Sequence, residues 1–315
     1  MSNADGVGSG RVVIVGAGPV GREAATALRD GGADVTVATR SGRDLGLEGV
    51  RTVAVDASDP DALLAVVRGA DALVNCANPK DYTTWEQVWP PLATSLLTTA
   101  ERSGATLVTA SALYAYGPTD EPMVEGMPDR ATDHKGRLRA QMWADAMAAH
   151  DAGRVRAVEV RASDYVGAGV RGNGHISRLV PSAVRGRAAW VIGDPDLPHT
   201  CTDVADVGRT LAAVTFAPQH WGRVWHVPSE PARTPRQVLT EVLATLGRSP
   251  VRMHTMPQPL LGLLGRAVPL VREINETGYM FRRPYVMEST LTQQALGLTP
   301  SPWADTCRRT GEGNL

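Results

Sequence analysis

Two groups of residues in this 315-residue chain have types and spacings that could do chemistry. The first is Gly16-x-Gly18-x-x-Gly21 in VIVGAGPVGREAA, where missing side chains let backbone N–H groups come close to a phosphate. The second is Lys135-x-x-x-Arg139 in TDHKGRLRAQ, two cations four residues apart and therefore on one helix face. Arg139 stays charged, so it is a poor proton donor but a good stabiliser of a developing alkoxide. Lys135 becomes a general acid if a cationic neighbour and partial burial ease its deprotonation. The plainer reading makes both residues solvated charges at a helix start.

The glycine motif is informative because of its neighbours: the apolar run RVVIVG reads as a buried strand and GREAATALRDGG as a helix. Gly16 allows a tight turn, Gly18 lets backbone approach a pyrophosphate, and Gly21 lets the helix lie close to the strand, with Pro19 and Val20 between them. This arrangement predicts a dinucleotide site. The end of the second strand, VATRSGRD, offers Thr39, Arg40 and Ser41 and no acid before Asp44. An acid there would favour the free ribose hydroxyls of NAD, whereas Arg40 can pair with a 2′-phosphate, so NADP(H) is favoured over NAD(H).

These sites need an α/β frame. From Arg11 onward, short β-branched runs alternate with helical patterns, predicting six strands and five connecting helices in a Rossmann-type doubly wound parallel sheet. Ser58-Asp59-Pro60 and Thr234-Pro235 read as helix starts, and a helix is expected from Pro90 onward. A polar loop, 117–133, precedes a further helix beginning at Arg137. The expected division is a flexible tail at 1–10, with a vector origin left open, a dinucleotide-binding domain at 11–165, and a smaller substrate lobe at 166–315 that returns in part to the main sheet. The apolar stretch PLLGLLGRAVPLV is broken by Arg266 and Pro269 and reads as a core or interface helix.

Beyond the glycine motif, four stretches resemble the extended short-chain dehydrogenase/reductase family, the NAD(P)-dependent epimerases and dehydratases. They are VDASDP, NCAN, TASALYAYGP and VRASDYVGAGV, in family order, and the likeness covers about Arg11 to Val207. The resemblance implies Asp56 near the adenine, and Asn75, Cys76 and Ala77 beside the cofactor. It also places substrate contacts at Asp164, with Tyr165 beside it, and at His199. The chain departs from the family at its proton-transfer residues. The family's Ser/Thr position falls on Ala112, with Ser111 one step early and so on the opposite strand face. Lys135 stands where the family has Tyr, and Arg139 where it has Lys. Tyr114 and Tyr116 share strand parity, which makes Tyr114 a candidate donor, while Tyr82 and Trp85 suggest an aromatic substrate wall.

With 43% hydrophobic residues, 21% charged and a net charge of −1, the chain lacks the basic excess usual for nucleic-acid binding. Its opening residues carry no signal-peptide pattern, no membrane partner is expected, and a homodimer is left open. Cys76, Cys201 and Cys307 are too scattered for a disulfide framework or a metal site, which suits a reducing cytoplasm. The leading expectation is an NADP(H)-dependent reductase of a small-molecule carbonyl or imine. The alternatives are an epimerase or dehydratase that recycles its bound nicotinamide, and a non-enzymatic NADP-binding regulator.

Overall fold

Seven strands run parallel in one sheet of the computed structural model, which describes residues 9–79, 82–257, 261 and 276–315. They are β1 (Arg11–Val15), β2 (Asp34–Thr39), β3 (Val50–Ala54), β4 (Ala72–Asn75), β5 (Thr106–Ala112), β6 (Ala157–Ala162) and β10 (Val224–His226). Their spatial order is β10-β6-β5-β4-β1-β2-β3, so the direction of winding reverses between β1 and β4. Ligands of open parallel sheets gather at the carboxyl ends of the strands beside such a reversal.

Strand alternation fills both faces. Val12 and Ile14 of β1 point to one core with Ala24, Ala25 and Leu28, which lie on α1 (Pro19–Asp30). Leu211 and Val214, on α6 (Val204–Thr215), complete that layer. Val13 and Val15 point to the other, beneath α2 (Pro60–Val67), α3 (Trp85–Ser103) and α4 (His134–Asp151). Both faces of the sheet are therefore dry, as parallel sheets require.

Several boundaries differ from expectation. Four helices, not five, connect the first six strands, because β2 reaches β3 through a loop at 40–49. Gly42, Gly46 and Gly49 of that loop all have positive φ, which a helix does not accommodate. Helix α3 starts at Trp85 and continues through Pro90 and Pro91. The carbonyls left without N–H partners belong to exposed Glu86 and Gln87, where water can serve them. Helix α4 starts at His134 because Asp133 caps it, accepting the Gly136 N–H at 2.8 Å. The expected caps at Asp59 and Thr234 are present, the latter in a full capping box with Gln237.

The smaller lobe has its own apolar core, drawn from Val166, Ile176, Val191, Val238, Leu243 and Met253. It contains two short parallel pairs: β7 (Asp164–Val166) with β9 (Cys201–Asp203), and β8 (Ala189–Val191) with β11 (Met253–Thr255). A short helix, α5 (Val180–Ala183), and a longer one, α7 (Pro235–Thr245), pack there. The expected return to the main sheet is β10. Residues 1–8 of the tail, and all of PLLGLLGRAVPLV except buried Leu261, lie outside the described residues. Among the described residues no helix is long and apolar enough to cross a membrane.

A buried polar chain fastens β10 to the end of β5. His226 receives the Tyr116 hydroxyl at Nε2 (2.7 Å), and its Nδ1 donates to the Glu288 carbonyl at 2.6 Å. Burial, with Arg161 nearby, lowers the His226 pKa to about 4 against the opposing pull of Glu125 and the Glu288 carbonyl. The unfolded chain therefore binds a proton that the folded chain refuses. This contribution to stability is full above about pH 6.5 and is lost as pH falls toward 4. Thermal unfolding at pH 7.5 and pH 5 should show that loss, and His226→Gln should remove on the order of 1–2 kcal/mol of the difference. An unchanged pH dependence in the variant would rule this group out.

Candidate active site

The three motif glycines play three physical roles. Gly16 has φ +103°, and a Cβ there would lie 2.8 Å from the Cys76 carbonyl oxygen. A Cβ on Gly21 would lie 2.0 Å from the Gly16 carbonyl oxygen, so α1 can begin against β1 only without a side chain at that position. A Cβ on Gly18 would meet nothing within 4 Å. Gly18 is also the N-cap of α1, with no side-chain cap, no acid in the first turn and Pro19 at the helix start. The first-turn amides thus face an open approach suited to a pyrophosphate. Across the turn, Asn75 is 1% exposed; its Oδ1 accepts the Ala77 N–H, and its Nδ2 has no partner among the described residues. Cys76 is buried, its thiol pushed up to about 12, and its backbone N–H bonds to Val15. The expected cluster of Gly16, Gly18, Pro19, Val20, Gly21, Asn75, Cys76 and Ala77 is therefore brought together, and its donors fit a dinucleotide.

Next to it, the β2 end presents Arg40 exposed, without a hydrogen bond or ion pair among the described residues. Thr39 accepts the Gly42 N–H through Oγ1 at 3.0 Å, and Ser41 Oγ accepts from Arg43 N at 3.4 Å. The Arg22 guanidinium holds this loop through the Leu45 carbonyl at 3.0 Å. Asp56 stands on the neighbouring β3 end, exposed, its carboxylate accepting the Ser58 N–H at 3.0 Å.

Lys135 and Arg139 of α4 are not solvated. Lys135 is 0% exposed, and its Nζ lies 3.1 Å from Glu276, whose carboxylate also accepts the His134 N–H at 2.9 Å. Arg139 is 5% exposed, with its guanidinium 4.0 Å above the Trp89 ring and 5.1 Å from that of Trp85, and Nη2 3.3 Å from Asn78. Trp85 is thus a core residue and not a substrate wall: it is 1% exposed, edge-on to Trp89 at 6.0 Å. Tyr82 opens a single 3-10 turn, Tyr82–Thr84, and its side chain lies outside the described residues.

Strand parity fails for the tyrosines, because Leu113–Tyr116 is a 3-10 turn whose successive side chains splay by about 120°. Tyr114 points to Trp85, with ring centroids 6.2 Å apart. Tyr116 points to His226, under the Arg161 guanidinium at 4.5 Å, and burial pushes its phenol up to about 12. Ser111 is 3% exposed, shares parity with Leu107 toward the α3–α4 layer, and its Oγ has no partner among the described residues.

A second cluster forms where β6 ends. Asp164 Oδ2 and His199 Nε2 lie 2.8 Å apart, at ion-pair distance but without hydrogen-bond alignment. The His199 ring stacks on Tyr285 at 5.0 Å and lies near-parallel to Phe281 at 5.7 Å; Phe281 in turn stacks on His175 at 4.2 Å. Burial raises the Asp164 carboxyl, but His199, His175 and Arg178 outweigh it and hold the group below the usual carboxylate range. Burial lowers His175 to about 3, with Arg178 and His199 adding to the effect against Asp164, so its ring is neutral. Tyr165, beside Asp164, packs against the sheet core.

The sequence reading missed Glu276, His175, Phe281 and Tyr285. Glu276 meets Lys135 across 141 positions, so no local pattern announces it. Asp133 was legible in principle, as an acidic cap ahead of a helix.

The family model described as "NAD dependent epimerase/dehydratase family" matches residues 12–191. The chain belongs to that epimerase/dehydratase family. No curated protein matches it. Among solved structures, MoeE5 in complex with UDP-glucose and NAD superposes with a TM-score of 0.77 at 20% identity, covering 97% of this chain and 98% of that one. The dTDP-glucose 4,6-dehydratase of Bacillus anthracis, in complex with NAD, has a TM-score of 0.77 at 15% identity, with 96% of each chain covered. The UDP-glucose-4-epimerase of Stenotrophomonas maltophila, with NAD and formylated UDP-arabinopyranose, has a TM-score of 0.75 at 18% identity, covering 97% and 98%. At these identities the likeness is one of fold. Epimerase/dehydratase membership makes this chain an enzyme type built around a nicotinamide dinucleotide, and the glycine turn and Asn75 are where such a group fits.

The two glycine positions separate folding from binding. Gly18→Ala should change stability by no more than about 1 kcal/mol, the scale of an N-cap change, while weakening dinucleotide affinity. Gly21→Ala should cost about 1–3 kcal/mol or more through overpacking. Denaturant titration beside a dinucleotide-binding titration checks both.

Proposed function

We propose that the chain binds a nicotinamide dinucleotide along the carboxyl edge of β1, β2 and β4 and transforms a hydroxylated small molecule as an epimerase or dehydratase. The observation that carries the cofactor reading is the uncapped start of α1 beneath Gly18, with Asn75 Nδ2, which has no partner among the described residues, across the turn. When bound, the cofactor supplies a hydride acceptor and, after the substrate has rearranged, the same hydride donor. The chain's own work is to hold it, exclude water and manage the substrate's protons. Family membership, and structural neighbours that are a dehydratase and an epimerase holding NAD, support this reading over the reductase first expected.

A net NADPH-dependent reductase is the second reading, favoured by one feature. Arg40 stands exposed at the β2 end without an acid beside it, an arrangement that suits a 2′-phosphate, although the neighbours carry NAD. Lys135 and Arg139 are assigned the ribose and alkoxide side of the site in either reading, with the ring-stacked Arg139 as a fixed positive charge.

Titrations with NADP and NAD test the cofactor choice: NADP should bind more tightly, and Arg40→Ala should cost about 10- to 100-fold in NADP affinity while sparing NAD. Equal affinities would overturn the NADP assignment and leave the NAD reading. For the reaction, UDP-glucose, UDP-glucuronic acid and dTDP-glucose are incubated with catalytic cofactor and followed by chromatography and mass spectrometry. Conversion without net change in the cofactor is the expected result. Stoichiometric NADPH consumption against a carbonyl panel would support the reductase, and tight binding without turnover of either set would support a regulator.

A further inference from the structure

The resemblance puts Lys135 and Arg139 where the family has its proton-transfer pair, and neither is suited to carry a proton. Lys135 is fully buried and ion-paired with Glu276, Arg139 is a guanidinium on a tryptophan face, and the Tyr116 hydroxyl is tied to His226. Another acid–base group must then face the reacting carbon. Ala112 and Ala162 are register partners at the carboxyl ends of β5 and β6, and Asp164 follows two residues later, paired with Cys201. His199 stands two residues before Cys201, which brings its ring to the same edge. We infer that His199, oriented by Asp164, is the catalytic group that takes and returns the substrate's hydroxyl proton. This inference rests on the cofactor reading above.

Geometry supports it in three ways. The ring is fixed from its sides by Tyr285 and Phe281, so its edges have one orientation. Its Nε2 lies 2.8 Å from Asp164 Oδ2, the base-and-orienter pairing that holds an imidazole for proton transfer. Both of those atoms are buried, yet neither makes an aligned hydrogen bond, a polar demand that a small realignment would satisfy. Asp164 is the charge at the ring, Arg178 acts on Asp164 and His175, and the ring neighbours are neutral His175 and the phenol of Tyr285, which burial keeps protonated. Nδ1 has no partner among the described residues. In the oxidising direction the substrate O–H bond breaks and its proton goes to Nδ1, giving an imidazolium. The oxygen's electron pair becomes the carbonyl bond as the carbon's hydrogen leaves, with its two electrons, to the oxidised dinucleotide. The return step reverses each transfer. Asp164 acts through His199 and is a positioning residue.

The test needs no substrate. Full-length protein labelled in its histidine rings is saturated with NADP+ or with NADPH (or with the NAD pair, if that binds better), and the ring signals are followed by NMR across pH. His199 is assigned with His199→Gln, or from its contacts with the Phe281 and Tyr285 rings if that variant does not fold. The oxidised nicotinamide is a cation, so a proton carrier within reach should titrate at lower pH in the oxidised than in the reduced complex, by about half a pH unit. Asp164→Asn should move the whole His199 curve to lower pH by more than about one unit while preserving the redox response. A His199 signal blind to cofactor oxidation state would overturn the catalytic role, and a curve unmoved in Asp164→Asn would overturn the positioning role. Failure of the cofactor to bind would fall on the earlier reading instead, so the two failures are distinguishable.

Discussion

The contact between Gly21 and the Gly16 carbonyl is the constraint on which this site depends. A helix that begins so near its parent strand aims its first amides across the sheet's carboxyl edge, and only two residues without β-carbons can lie that close. The approach brings Asn75 and the Cys76 carbonyl against the same turn, because β4 is the other neighbour of β1. The reversal of winding between β1 and β4 then leaves that edge uncovered by crossover connections. One backbone contact thus fixes where the first amides of α1 open onto the sheet edge and which strand end lies beside them.

The glycine turn was legible in the sequence because its determinants are local. A strand, a glycine turn and a helix occupy twenty consecutive positions, and capping residues such as Asp59 and Thr234 declare themselves within four. The surroundings of Lys135, Arg139 and the tyrosines were not legible, for reasons that are equally physical. Lys135 and Arg139 look like solvated charges until Glu276 and the paired tryptophans arrive from distant segments. Pro90 and Pro91 read as a helix start, yet α3 begins at Trp85 and runs through them on a face where water can take over the missing bonds. Tyr114 and Tyr116 were assigned by strand parity, but the strand ends at Ala112 and the backbone tightens into a 3-10 turn.

The same long-range packing explains why Lys135 and Arg139 did not become free surface. A lysine in a dry position needs a compensating carboxylate, and a buried guanidinium needs ring faces and an oxygen. Glu276, Trp89 and Asn78 meet those needs, so the altered pair is integrated into the fold and its charges are held still. A cation held still in this way can stabilise negative charge without carrying a proton.

Asp203 adds a consequence for how the molecule is assembled. One of its oxygens caps α6, which lies against the dinucleotide half, while the other binds Thr306 and Arg309 of the helix Trp303–Glu312. That helix also meets the loop after β7, where Thr310 accepts the Gly167 N–H. The main sheet therefore gains its seventh strand and one of its covering helices only after most of the polypeptide has been synthesised. On the ribosome, the early strands must wait with one edge of the sheet unpaired, a stage at which a chaperone would find an exposed parallel edge to shield.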